Sequence, residues 1–122
     1  MAPRLLLVED DFLLGMLMGD WLGEFGCVVL GPLGNVALAL DTIAREGEAL
    51  DGALLDVTLR EDGDSYAIAD ALTLRGIPFA FVTGHGVGGL APRHRQSPIL
   101  TKPFQLDELQ NIVGLLVRRR AS

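Results

Sequence analysis

Apolar residues in this chain fall into two alternating patterns. Short uninterrupted runs occur at Leu5–Val8, Cys27–Leu30, Ala53–Leu55, Phe79–Val82 and Ile99–Leu100. They do not alternate with polar residues, which predicts strands covered on both faces, as in a parallel sheet. Between them lie segments of helical period. Leu14, Leu17, Met18, Trp21, Leu22 and Phe25 form one predicted buried stripe. A second helix is predicted from Asn35, a suitable N-cap, to Glu46 before Gly47, with Val36, Leu40, Ile43 and Ala44 on one side. A third runs from about Tyr66 to Arg75, follows Asp64 and Ser65, and stops at Gly76. The last carries Leu106, Leu109, Ile112, Val113 and Leu116 and ends in Arg118–Arg120, where cations suit a helix C-terminus.

Residues 83–96, TGHGVGGLAPRHRQ, are different. Gly84, Gly86, Gly88, Gly89 and Pro92 make a helix there costly, by about 1 kcal/mol per interior glycine. A short, frayed or absent fourth helix is expected. The alternation predicts one doubly wound α/β domain over residues 1–122, with five parallel strands in the flavodoxin-like order 2-1-3-4-5 common to such sheets.

Composition narrows the function classes. The chain has 122 residues, 49% of them hydrophobic, enough for one core without disulfide or metal staples. Sixteen acids against ten Lys and Arg give a formal charge of −6, the wrong sign for a surface that neutralises phosphates, so direct nucleic-acid binding is not expected. The single cysteine, Cys27, has no internal disulfide partner and reads as a small core hydrophobe. No leader-like segment precedes the first strand, and the apolar runs are too short to span a membrane, so a cytoplasmic setting is expected.

The candidate chemistry lies where the strands end. In open parallel sheets the ligand site forms at the carboxyl ends of the strands. After the first run come Glu9, Asp10 and Asp11, after the third Asp56, after the fourth Thr83 and Gly84, and after the fifth Thr101, Lys102 and Pro103. In the order 2-1-3-4-5, Glu9, Asp10 and Asp56 share one pocket. Carboxylates at such range repel unless a cation or proton intervenes. Oxygen donors without clustered His or Cys point to Mg²⁺ over a transition metal.

The ordered segments LLLVEDD, LLDVTL, FVTGH and LTKPF resemble the receiver domain of two-component response regulators across essentially the whole chain. The resemblance implies that Asp56 takes a phosphoryl group from a histidine kinase or histidine phosphotransferase. Glu9, Asp10, Asp56 and the Thr58 carbonyl would hold Mg²⁺. Lys102 would contact the phosphoryl oxygens, Thr83 would be the switch hydroxyl, and Pro103 would be cis. Asp11 would lie outside the pocket and cap the first helix. By the same resemblance the chain would catalyse only its own phosphorylation and slow dephosphorylation, and would signal to a downstream protein through the face of the fourth helix region, fifth strand and fifth helix.

Several positions depart from the family pattern or stand outside it. Ile99 occupies the place of the usual switch aromatic, so ordering of residues 84–91 is the expected substitute. TLREDGDS replaces the usual Met-Pro after the phosphoacceptor. PFAFVTGHG is similar to a Phe-Ala-Thr-Gly subgroup, many of them free-standing, with Val82 in place of its alanine. By the same resemblance His85 and Thr58 would tune loss of the phosphoryl group to water. His94 is expected to be exposed, Glu61, Asp62 and Asp64 to form a solvated loop face, and Gly15, Gly19 and Gly23 to run along an exposed side of the first helix. Two other readings use the same residues: a receiver-like binding module that is not phosphorylated, and a haloacid-dehalogenase-type phosphatase. Against the latter, the acids lead the chain and Asp56-Val57-Thr58 lacks a second Asp.

Overall fold

A computed structural model describes residues 2–121, with the side chain of Val87 outside that description, so both ends of the 1–122 span lie beyond it. In chain order the elements are β1 (Arg4–Val8), α1 (Phe12–Glu24), β2 (Val28–Leu33), α2 (Val36–Glu46), β3 (Gly52–Asp56), β4 (Thr58–Leu59), β5 (Gly63–Asp64), α3 (Tyr66–Leu74), β6 (Phe79–Thr83), β7 (Ile99–Thr101) and α4 (Leu106–Ala121). The main sheet is parallel with order β2-β1-β3-β6-β7. Counting only its five strands, this is the flavodoxin-like order 2-1-3-4-5.

The uninterrupted runs are explained by a core on each face. Leu5 and Leu7 of β1, Leu54 of β3, and Ala80 and Val82 of β6 point toward Met18 and Leu22 of α1 and Leu109, Val113 and Leu116 of α4. The alternate residues, Leu6, Val8, Ala53, Leu55, Phe79 and Phe81, meet Ala39 and Ile43 of α2 and Ile68, Ala69 and Leu72 of α3. Because successive strand side chains point to opposite faces, two helix layers require apolar residues at every position.

The β2 strand is an exception. It lies at the sheet edge, starts at Val28 and not Cys27, and is half-buried to exposed throughout. It is also shifted against β1 between Leu6 and Val8. Gly31 sits in this shifted stretch with φ +133, and a Cβ there would collide with the Leu7 carbonyl oxygen. Gly31→Ala is therefore expected to lower unfolding free energy by about 3 kcal/mol, measured by urea denaturation with unchanged m-value. Wild-type-like stability would refute this.

The helices begin as expected. Asp11 accepts a hydrogen bond from the Leu14 amide at 3.1 Å, and Asn35 accepts one from the Leu38 amide at 2.9 Å. Their buried faces are narrower than the periodicity suggested. In α1 only Gly15, Met18 and Leu22 are buried, while Leu17 is 40% exposed. In α2 the buried residues are Ala39, Thr42 and Ile43, and Ala44 faces out. Gly15 is not on an exposed track: a Cβ there would lie 2.7 Å from Pro32 Cβ, so its smallness lets α1 pack on β2. Gly19 and Gly23 do face open space.

Residues 84–98 connect β6 to β7 through 3-10 turns at Val87–Gly89 and Pro92–His94, with no α-helix among the described residues. That matches the irregular fourth helix expected from the glycines. His94, expected to be exposed, is buried: it stacks on Tyr66 at 4.8 Å and meets Phe81 edge-on at 5.3 Å. No helix among the described residues is long and apolar enough to cross a membrane.

Candidate functional site

The carboxyl ends of β1, β3, β6 and β7 open onto one depression of about 340 Å³. Glu9, Asp10, Asp56, Thr58, Thr83, Gly84, His85 and Lys102 line it. Glu9, Asp10 and Asp56 each offer a carboxylate oxygen, and these oxygens lie within 4.8 Å of one another. The parallel pairing of β1 with β3 sets Val8 beside Leu55, so the residues that follow each strand meet at the same height.

Each acid is held by a specific partner. Glu9 is almost fully buried; one oxygen accepts the Asp11 amide at 3.2 Å and the other accepts the Lys102 ammonium at 3.1 Å. Asp10 Oδ2 accepts the Arg60 backbone N–H at 2.6 Å. Lys102 Nζ also lies 3.5 Å from Asp56 Oδ2, so one cation bridges two acids. Lys102 is followed by a cis Pro103, as the resemblance implied. Asp11 lines the edge of the depression while its side chain caps α1.

The charge balance follows from this geometry. Burial, with the hydrogen bond and charge of Glu9 and the charge of Asp10, pushes the Asp56 carboxyl up to about 7, against the pull of Lys102. Burial alone would lower Lys102, but Asp56 and Glu9 outweigh it and hold the ammonium above its usual range. Three acids and one base leave net negative charge in a partly dry site. The donor set is all oxygen, so the residues present fit a hard divalent cation.

Thr83 is buried at the end of β6, where its hydroxyl oxygen accepts the His85 amide at 3.0 Å. Gly84 is exposed, and a Cβ there would meet nothing, so the approach over Thr83 is open.

Sequence reasoning missed the β4-β5 hairpin. Glu61, Asp62 and Asp64 were expected to form a solvated loop face, yet around them Thr58 pairs with Asp64 and Leu59 with Gly63. The hairpin makes three ties: Arg60 N–H to Asp10, Asp62 Oδ2 from the Val36 amide at 2.7 Å, and Asp64 Oδ1 from the Tyr66 amide at 3.0 Å. Asp62 and Asp64 are solvent-exposed but serve as caps. The available signal was Asp62-Gly63, an Asp-Gly pair of the kind that marks tight hairpins, with Gly63 at φ +79.

Likeness to solved structures places the chain in a family. The chain is similar to SdrG from Sphingomonas melonis Fr1, with 35% identity over 95% of this chain and 97% of that one and a TM-score of 0.82. It is similar to the BeF3-activated conformation of SdrG from Pseudomonas melonis Fr1, with 35% identity over 96% and 99% of the two chains and a TM-score of 0.79. A response regulator receiver protein from Sinorhizobium medicae WSM419 matches at 25% identity over 98% and 97% of the chains, with a TM-score of 0.81. The chain belongs to the response-regulator receiver family. No protein-family model and no curated protein sequence matches it.

Proposed function

We propose that this chain is a phosphoacceptor receiver that takes a phosphoryl group from phosphohistidine onto Asp56 and signals through the resulting rearrangement. The observation that carries this reading is the meeting of Glu9, Asp10, Asp56 and Lys102, from three separate strand ends, around one open depression.

In the proposed step a carboxylate oxygen of Asp56 attacks phosphorus in line with the P–N bond of the donor. The P–N electrons leave with the imidazole, which departs neutral because its other ring nitrogen already carries a proton. The product is an acyl phosphate on Asp56. Glu9, Asp10, Asp56 and the Thr58 carbonyl would hold Mg²⁺, which when bound offsets charge on the acids and on the transferring group. Lys102 supplies a fixed ammonium beside the phosphoryl oxygens. Thr83 then exchanges its bond from the His85 amide for one from its own hydroxyl to the phosphoryl group.

The donor's approach is supported by the surface beside the site. Phe12 is 75% exposed and Leu13 69%, with Met16 and Leu17 also exposed on α1. From α1, Leu14 and Trp21 also line a groove of about 370 Å³ together with Lys102, Pro103 and Phe104. Exposed apolar side chains and an apolar groove on the helix beside the site suit a helical partner such as a histidine kinase or phosphotransferase.

Incubation with acetyl phosphate, with and without Mg²⁺, tests the proposal by intact mass. The expected result is a single phosphoryl adduct that requires the metal, is lost at alkaline pH as an acyl phosphate, and maps to the peptide containing Asp56. Absence of any adduct, or one on a different residue, would reject it.

A further inference from the structure

The connection between β6 and β7 is fastened to the rest of the molecule chiefly by side chains. Within it the backbone bonds are local turn bonds, such as Gly89 N–H to Gly86 and His94 N–H to Ala91. Its attachment comes from buried Leu90, from the Tyr66 hydroxyl, from His94, from the Arg93–Asp70 ion pair and, at its far end, from the Phe81 amide donating to the Pro98 carbonyl. The hydroxyl accepts the Ala91 amide at 2.7 Å and donates toward the Gly89 carbonyl at 3.4 Å. The His94 ring is 5% exposed and packs among Tyr66, Phe79 and Phe81.

His94 is a poor fit for a charged ring. Its buried Nε2 has no hydrogen-bond partner among the described residues. The nearest acid, Asp70 of α3, is 3.5 Å away, and its other oxygen is already held by Arg93 at 3.1 Å. Arg93 also sits over the Tyr66 ring at 5.4 Å. From β5, Asp64 adds a weaker attraction, and β6 presents only Phe79 and Phe81. An imidazolium here would lose its hydration and face Arg93, with half an acid as compensation.

We propose that His94 is a proton-operated latch: the neutral ring pins residues 89–94 against Tyr66 and Phe81, and protonation expels it and frees the segment. The segment can yield because 3-10 turns, not a helix, hold its shape. Burial first, then Arg93, keeps His94 below its ordinary 6.5, against the pulls of Asp70 and Asp64. The closed form therefore binds its proton less readily than the open form. Its stability is fully present above the ordinary histidine range and is lost as pH falls through it. The consequence for signalling rests on the receiver reading. A Cβ placed on Gly89 would lie 3.1 Å from His85 Cβ and 4.0 Å from Thr83 Oγ1, so this backbone borders Thr83 and freeing it would ease the movement of Thr83 toward Asp56.

An NMR titration of the unphosphorylated chain from about pH 7.5 to 5 tests the latch, reading the His94 ring, the Gly89 and Ala91 amides, and hydrogen-exchange protection at each pH. The expected result is one shared midpoint below 6.5 for the ring and both amides. Protection of residues 89–94 should then fall by up to about tenfold per pH unit, with β1 and β3 unaffected. In His94→Phe, which keeps an aromatic ring, the pH dependence should vanish. Different midpoints for ring and amides, or the same acid loosening in His94→Phe, would overturn the proposal. Should His94→Phe be loose at every pH, the wild-type midpoints decide between these outcomes. Asp56 need not be phosphorylated for any of these readings, so failure of phosphotransfer and failure of the latch are separately visible.

Discussion

Lys102→Met is expected to slow phosphoryl capture from acetyl phosphate by about a hundredfold or more, the usual effect of removing one preorganised charge from a group-transfer site. The ammonium lies 3.1 Å from Glu9 and 3.5 Å from Asp56, so it already stands where phosphoryl oxygens on Asp56 would arrive. Those two acids keep it protonated despite partial burial. Methionine fills similar volume and removes the charge. Without it, Glu9, Asp10 and Asp56 face one another unscreened, and the metal-free variant should also lose about 1–3 kcal/mol of stability. Mg²⁺ should recover part of that loss by binding the folded state. Intact-mass kinetics and thermal melts with EDTA or Mg²⁺ read both effects. Capture at the wild-type rate would remove Lys102 from the chemistry.

The convergence of Glu9, Asp10, Asp56, Thr83 and Lys102 was legible in the sequence because they lie at or just past the apolar runs, and a parallel sheet brings those ends to one rim. The sheet itself was legible for a related reason: runs such as Leu5–Val8 and Phe79–Val82 have no polar alternation because helices cover both faces. What the pattern could not show was contact made by backbone or by unusual burial. The Arg60 amide that holds Asp10 carries no side-chain signature, and the hairpin that presents it was masked by the acids of EDGD. His94 in a polar stretch read as solvated, yet the irregular path of residues 84–98 turns its ring onto Tyr66. Ile99 brings no aromatic ring; the aromatic hydroxyl that reaches the β6-β7 connection, that of Tyr66, comes from the start of α3, far away in sequence. On α1, the apolar period overstated burial because Phe12, Leu13, Met16 and Leu17 form an exposed surface.

Asp56→Asn should separate the nucleophile's chemistry from its electrostatic cost. An amide is no substitute for a carboxylate nucleophile, so the acetyl phosphate adduct should disappear, a loss of more than about a thousandfold. The same change should make the metal-free protein more stable, and by an amount that depends on pH. In the folded chain Asp56 is raised from 3.8 to about 7, first by burial and then by Glu9. Between those two values the folded state holds a proton that the unfolded state has released. Wild-type stability must then fall as pH rises through that interval and level off above it. Asparagine cannot titrate, so the variant's advantage in EDTA should grow from near zero at about pH 4 to on the order of 2 kcal/mol at about pH 8. Mg²⁺ should narrow the gap, because it stabilises the wild-type carboxylate more than the amide. Denaturant titrations across pH measure this directly. A gap that stays constant with pH would mean that Asp56 is not the strained acid of the cluster, and a surviving adduct would mean that it is not the acceptor.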